Sequence, residues 1–183
     1  MPMSDYIRRL RSMIGTTVLE VPTVSVLMFD QRDRVLLVRH VEGDDWTTPG
    51  GMIEPYELPA DAAVREAWEE AGLRLPGDAL LDLGEFAYLP AKRLHLFALR
   101  VAPDGIDIDR CACRSFFPHR HTGRPTPEAD AWAWKPLDDL ASWCGKNMTR
   151  VLQSLDRGLI AALPEVDRVE VDLSPLNPSR TAC

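Results

Sequence analysis

The chain has 183 residues, 45% of them apolar and 27% charged, with a formal net charge of −7. That describes one globular domain of ordinary size with enough apolar residues to bury a core. The acidic balance excludes a large nucleic-acid surface, which needs a field of Lys and Arg, and no apolar run approaches the ~20 residues of a membrane span. An acidic protein that handles a phosphate ester needs a cation between itself and its substrate, so a divalent metal is expected before any motif is considered.

The first fifteen residues are too charged to hold a signal-peptide core. Four cysteines, with Cys111 and Cys113 only two positions apart, do not form a disulfide framework. Both features predict a cytoplasmic protein with reduced thiols.

From Ser4 to Ile14, the apolar residues Tyr6, Ile7, Leu10, Met13 and Ile14 recur at helical spacing. The pattern predicts a short amphipathic helix ended by Gly15. Thr23 to Phe29 and Val35 to Val38 are β-branched and apolar around a polar turn at 30–33, and predict a hairpin at the centre of a sheet. A polar loop at 42–45 follows, then a short strand from Trp46 that Pro49 and two glycines break. Pro59 to Ala71 reads as a helix, with Pro59 in its first turn and Gly72 just past its end. Leu80 to Leu89 and Leu94 to Val101 predict two more strands, and Cys111 to Phe117 a weaker one. The segment 119–130 is a loop of active-site size. Ala131 to Trp134 is a last short strand, Leu137 to Trp143 and Met148 to Ala162 are helical, and the tail 173–183 is expected to be mobile. Strands interspersed with helices predict an α/β/α sandwich around a mixed sheet.

On a helix over 59–71, Glu66, Glu69 and Glu70 fall at i, i+3 and i+4 and share one face. Ala63, Val64, Ala67 and Ala71 gather on another face, small enough for close approach to a sheet. Three carboxylates on one face repel one another unless a cation lies among them, and oxygen-only ligands select Mg²⁺ or Mn²⁺ over zinc. Gly50 and Gly51 let the backbone bend beside that helix and offer a bare carbonyl to a metal or phosphate.

These residues carry a fixed skeleton: Gly51, five residues, Glu57, seven residues, Arg65-Glu66, then Glu69-Glu70, Gly72 and an apolar residue. The skeleton resembles the signature of the Nudix hydrolase family at every fixed position. Chance would supply seven such residues in fewer than about one in a million chains of this size, at roughly 5–7% frequency each. The resemblance covers residues 20 to 145 and implies a Nudix-type α/β/α sandwich, here with an added N-terminal helix (4–14) and C-terminal helices (137–163), as one domain over 1–183. It implies hydrolysis of a nucleoside diphosphate linked to another group, with water attacking phosphorus and Mg²⁺ or Mn²⁺ held by Glu66, Glu69, Glu70 and the Gly50 carbonyl. Arg65 and Glu57 resemble the family's structural ion pair, and in some members the Glu66 equivalent is the general base. Other members place the base in a later loop, where Glu128 and Asp130 are candidates.

Two positions depart from the common pattern. Tyr56 stands where many members have glycine, and Leu58 where many have a Ser or Thr cap. Tyr56 is a candidate to cover the substrate. Arg39, Trp46 and Tyr88 are candidate substrate contacts. The expected partner is a small nucleotide-type molecule, with no nucleic acid and no membrane; a homodimer is left open. A zinc site at Cys111, Cys113, His119 and His121 is disfavoured by the single residue between the thiols. The alternative function is a nucleotide-binding sensor with the same fold and little turnover. Retention of every signature carboxylate argues against it.

Overall fold

The computed structural model describes residues 5–43, 46–90 and 92–177. The expected helix position Ser4, the 44–45 part of the polar loop and the tail from 178 lie outside the described residues.

The elements in chain order are α1 (Asp5–Ile14), β1 (Thr23–Phe29), β2 (Arg34–His40), β3 (Trp46–Thr47), β4 (Gly50–Met52), α2 (Pro59–Ala71), β5 (Leu73–Arg74), β6 (Leu81–Leu89), β7 (Lys92–Val101), β8 (Phe116–Pro118), β9 (Pro125–Pro127), β10 (Ala129–Pro136), α3 (Lys146–Gln153), α4 (Arg157–Ala161), β11 (Glu165–Val166) and β12 (Glu170–Val171). The main sheet runs β10-β2-β1-β7-β11, with β3 on β2, β4 on β1 and β6 on β7. It is mixed: β1 and β7 are parallel, whereas β1–β2, β1–β4 and β6–β7 are antiparallel.

Alternation along the central strands builds two cores. Val24, Val26 and Met28 of β1, Leu36 and Val38 of β2, and Phe97 and Leu99 of β7 point to the α2 face. Leu27, Phe29, Val35, Leu37, Leu94 and Leu96 point to the opposite face, which Leu137, Leu140, Met148, Val151 and Leu152 cover. All seven residues of β1 are buried, as a central strand covered on both faces requires. The expected layered α/β architecture is therefore present.

Helix α2 has the predicted bounds. Ala62, Ala63, Ala67 and Ala71 are fully buried against the sheet, while Val64 packs at the rim of that cluster. Side chains this small bring the helix axis close to β1 and β4, which places its glutamates against the Gly50–Gly51 backbone. Gly72 takes φ 71° and its N–H caps Trp68 O, the left-handed stop that glycine provides.

Three expectations differ from the structure. The Cys111–Phe117 strand is mostly irregular, preceded by a short 3₁₀ turn at Ile108–Arg110 and reaching strand geometry only at β8. The 119–130 loop contains β9, which pairs with β8, and the last strand starts at Ala129 rather than Ala131. The helix expected over 148–162 is split, because Asp156 Oδ1 accepts the Leu159 N–H and caps a new helix, α4.

Candidate active site

The signature loop is fixed by one arginine. Arg65 Nε donates to Glu57 Oε1 at 2.8 Å, and one terminal nitrogen donates to Glu57 Oε2 at 3.0 Å and to Met52 O at 2.8 Å. Its other terminal nitrogen reaches Glu66 Oε1 at 2.8 Å and Glu69 Oε2 at 2.9 Å. Glu57 Oε2 also accepts the Glu54 N–H at 2.9 Å, which closes the loop on itself. Burial opposes ionisation of Glu57, but the hydrogen bonds from Arg65 and Glu54 hold its pKa below the ordinary value. Burial also works against the Arg65 charge, and is outweighed by the carboxylates around it.

The two departures from the family pattern have visible consequences here. Tyr56 sits at φ 68°, in the left-handed region that favours glycine. Its side chain is fully exposed and does not line the cleft described below. Leu58 occupies the cap of α2 without a side-chain hydrogen bond. Neither departure prevents the Glu57–Arg65 pair from forming.

Glu66, Glu69 and Glu70 are all buried. Glu70 Oε1 lies 2.9 Å from His40 Nε2, and Oε2 accepts the Gly50 N–H at 3.2 Å. Burial lowers the His40 pKa, but the hydrogen bond and charge of Glu70, with the charge of Glu128, together outweigh it and leave His40 above its usual value. Glu66 is pushed well above the carboxylate range, first by burial and then by the charge of Glu70. Gly51 makes room for it: a Cβ there would come within 2.1 Å of Glu66 Oε1. At Gly50 the obstacle is backbone, with Val24 O 2.3 Å from the corresponding position.

Glu128 is buried at the junction of β9 and β10, and its backbone N–H and C=O bond to Ser115 O and to the Val41 N–H. Burial, assisted by the charge of Glu70, raises its pKa to about 7. Asp130 is exposed and pairs with Arg39 through two hydrogen bonds of 2.8 and 3.1 Å.

A cleft of about 240 Å³ opens beside these carboxylates. It is lined by His40, Thr47, Thr48, Gly50 and Gly51 together with Tyr88, Lys92, Leu94 and Met148. Of the sequence-derived substrate candidates, Tyr88 lines it. Arg39 and Trp46 do not; Trp46 packs edge-on against Trp143 at 5.9 Å. Sequence reasoning missed Lys92, whose ammonium lies 5.3 Å from the Tyr88 ring centroid. The only signal for it was a cation opening a strand after a proline-containing turn. His40 also lines the cleft, where its ring bonds to Glu70.

The donor set fits a hard divalent cation by its chemistry. The helix face offers oxygen alone, it is buried, and Arg65 with His40 leaves the carboxylates in excess. Among the described residues, no three Asp, Glu, His or Cys side chains already close around one point; Arg65 engages Glu66 and Glu69, while His40 and the Gly50 N–H engage Glu70. The thiols once considered for zinc are otherwise occupied. Cys113 Sγ lies 3.2 Å from Ser115 O and accepts from the Ala129 N–H at 3.4 Å, and burial raises the Cys111 and Cys113 pKa values to about 12 and about 11. His119 Nδ1 accepts the N–H groups of His121 and Thr122.

Comparison with known proteins agrees with this geometry. An uncharacterised 17.7 kDa protein of Enterobacteria phage T4 is 32% identical over 139 residues, covering 70% of this chain and 91% of the phage protein. The human diphosphoinositol polyphosphate phosphohydrolase 3-alpha is 41% identical over 73 residues, covering 39% of this chain and 44% of the human one. The chain thus matches less than half the length of that relative. The NUDIX domain of Shewanella oneidensis NrtR, solved with ADP ribose, superposes with a TM-score of 0.55 at 14% identity over 82% of this chain and 96% of its own. The MutT NUDIX hydrolase of Burkholderia pseudomallei gives 0.53 at 18% identity over 76% of this chain and all of its own. At such identities these two show the fold alone. Among the described residues, no helix is long and apolar enough to cross a membrane. The NUDIX domain model matches residues 19–155, three quarters of the chain, and together with the complete signature it shows that this chain belongs to the Nudix family of hydrolases, which act on phosphoanhydride bonds.

Proposed function

We propose that this chain, as a single Nudix domain, is a divalent-metal-dependent pyrophosphohydrolase acting on a nucleoside diphosphate linked to another group. The observation that carries this reading is the burial of Glu66, Glu69 and Glu70 side by side against the Gly50–Gly51 wall of the cleft. Those three carboxylates and the Gly50 carbonyl would hold Mg²⁺ or Mn²⁺. When bound, the cation supplies charge neutralisation at the phosphoryl oxygens and lowers the pKa of water.

The protein's own groups divide the remaining work. Arg65 and Glu57 fix the loop and orient Glu66 and Glu69. His40 and the Gly50 N–H orient Glu70. Glu128, with its pKa raised to about 7 by burial, is poised to take a proton near neutral pH; Glu66 is the other candidate base. Lys92 lines the cleft and supplies a positive charge for a substrate phosphate. Tyr88 offers a ring for stacking. Buried thiols at Cys111 and Cys113 suit a reducing, cytoplasmic setting.

The test is a substrate panel with Mg²⁺ and with Mn²⁺, with products identified. It should span ADP-ribose, dinucleoside polyphosphates, nucleotide sugars, diphosphoinositol polyphosphates and dNTPs. Glu66→Gln and Glu70→Gln should abolish turnover while the circular dichroism spectrum is unchanged. Full activity in both variants refutes the proposal, and tight binding without turnover under either metal replaces it with a nucleotide sensor.

A further inference from the structure

The four carbonyls at the end of a helix have no partner within it. In α2 they are met by Gly72, by the 112–115 segment and by Trp132. Trp68 O accepts the Gly72 N–H, and Glu69 O accepts the Arg114 N–H at 2.6 Å and the Ser115 N–H at 3.0 Å. Glu70 O accepts Trp132 Nε1 at 3.1 Å, and Ala71 O accepts the Ala112 N–H at 3.2 Å. This is the end of the helix that carries Glu69 and Glu70.

The C-terminal segment fastens this arrangement from outside. β11 adds a parallel strand to β7, Val169 N–H donates to Gly105 O, and β12 pairs with β5. The Asp172 N–H donates to Gly72 O at 2.7 Å. Asp172 Oδ2 then accepts Trp68 Nε1 and an Arg74 guanidinium nitrogen, both at 2.8 Å. Its Oδ1 accepts the Ser174 N–H at 2.9 Å. Arg114 donates to Ser174 O at 2.6 Å and to Asp172 O. The Asp172 and Arg114 side chains are both buried. Asp172 thus holds α2 directly through Trp68, and indirectly through Arg114, whose backbone caps Glu69.

We propose that residues 165–174 form a strap that sets the position of the carboxylate-bearing end of α2, with Asp172 as a positioning residue for Glu69 and Glu70. The strap lies beyond residues 19–155, the part of the chain that matches the family. Its catalytic consequence rests on the proposed function; its mechanical consequence does not. The last turn of α2 faces the Gly50–Gly51 backbone, so a shift of that turn displaces two proposed metal ligands together. Groups of this kind, which orient ligands without touching the metal, are commonly worth about 10-fold or more in affinity or rate.

The experiment compares Asp172→Asn, Trp68→Phe and Ile160→Ala. Ile160 is buried on the opposite face of the sheet and serves as a control for lost stability. Three quantities are read in the intact chain: Mn²⁺ binding by calorimetry without substrate, hydrogen exchange of the 69–72 amides, and kcat against KM. Asp172→Asn should weaken Mn²⁺ binding by about 10-fold, speed exchange at 69–72, and lower kcat more than it raises KM. Trp68→Phe removes the indole N–H contact with Asp172 together with part of the ring, should move the same readouts in the same direction, and decides the question if Asp172→Asn does not fold. Ile160→Ala should lower Tm while leaving Mn²⁺ binding and exchange at 69–72 as in the wild type. If Asp172→Asn and Trp68→Phe behave like Ile160→Ala, the strap is only structural and the proposal falls. If the wild type neither binds Mn²⁺ nor turns over any substrate, the proposed function fails instead. Exchange at 69–72 then still decides the strap, with unchanged exchange in both variants overturning it.

Discussion

Gly51→Ala separates the proposed catalytic role of the signature glycines from their structural one. The added Cβ would lie 2.1 Å from Glu66 Oε1 and 2.4 Å from Glu66 Cδ, against 3.4 Å for ordinary contact. Arg65 pins the Glu66 carboxylate at 2.8 Å, so the carboxylate must retreat by roughly 1 Å and strain that bond in a closely packed interior. A misplacement of this size at a reacting group can cost about 100-fold in rate, or about 2.7 kcal/mol of transition-state stabilisation. The stability cost is smaller. A weakened charge-assisted hydrogen bond loses about 1.5–3 kcal/mol, offset by about 0.4–1 kcal/mol from the reduced freedom of the unfolded chain. A domain of this length should then melt only a few degrees lower, at about 2–4 °C per kcal/mol. Gly50→Ala should do the reverse. Its Cβ meets the backbone of Val24 and Ser25, which cannot retreat without breaking the β1–β4 register in which Ser25 pairs with Gly50. That variant should lose more than about 3 kcal/mol, the range of severe overpacking. Steady-state kinetics on a substrate turned over by the wild type, together with thermal melts, checks both. A Gly51→Ala enzyme within about threefold of wild-type kcat, or a Gly50→Ala protein as stable as Gly51→Ala, would refute the steric argument.

Tyr56→Gly should stabilise the protein by about 1 kcal/mol by relieving the left-handed backbone, and Leu58→Ser should add about 1 kcal/mol by supplying the missing cap of α2; chemical denaturation reads both, with catalytic rates unchanged. Glu128→Gln tests the buried acid in protein stripped of metal with EDTA. The wild-type carboxyl has its pKa raised in the folded state from 4.5 to about 7. Ionisation therefore penalises folding increasingly as pH rises from 4.5 through 7, and not below 4.5. The variant should gain up to about 3 kcal/mol over wild type above pH 7 and nothing at pH 4. A stability difference that does not vary with pH would show that the carboxyl is not shifted.

The core of this fold was legible because its signals are local. Pro59 and Gly72 mark the ends of α2 by backbone chemistry that needs no tertiary context, and the spacing of Glu66, Glu69 and Glu70 follows from helical geometry alone. The near-continuous apolar runs in β1, β2 and β7 likewise report strands covered on both faces. What escaped was set by distant partners. The segment 111–115 is apolar enough to read as a strand, yet its N–H groups cap the end of α2, a use that is visible only once both elements are placed. Glu165–Val166 and Glu170–Val171 are too short for any periodic signal and exist as strands because β7 and β5 offer open edges. Within the segment expected to be mobile from Leu173, Ser174 bonds to Arg114 and Asp172, contacts no local pattern announces. Arg39 and Trp46 are strand residues of plausible chemistry whose partners, Asp130 and Trp143, lie about ninety or more positions away. The carboxylates of the site could thus be read from one helix, whereas the groups that hold them in place are spread from His40 to Asp172. Substitutions that damage catalysis here should accordingly fall as often in the strap and the 111–115 segment as in the signature.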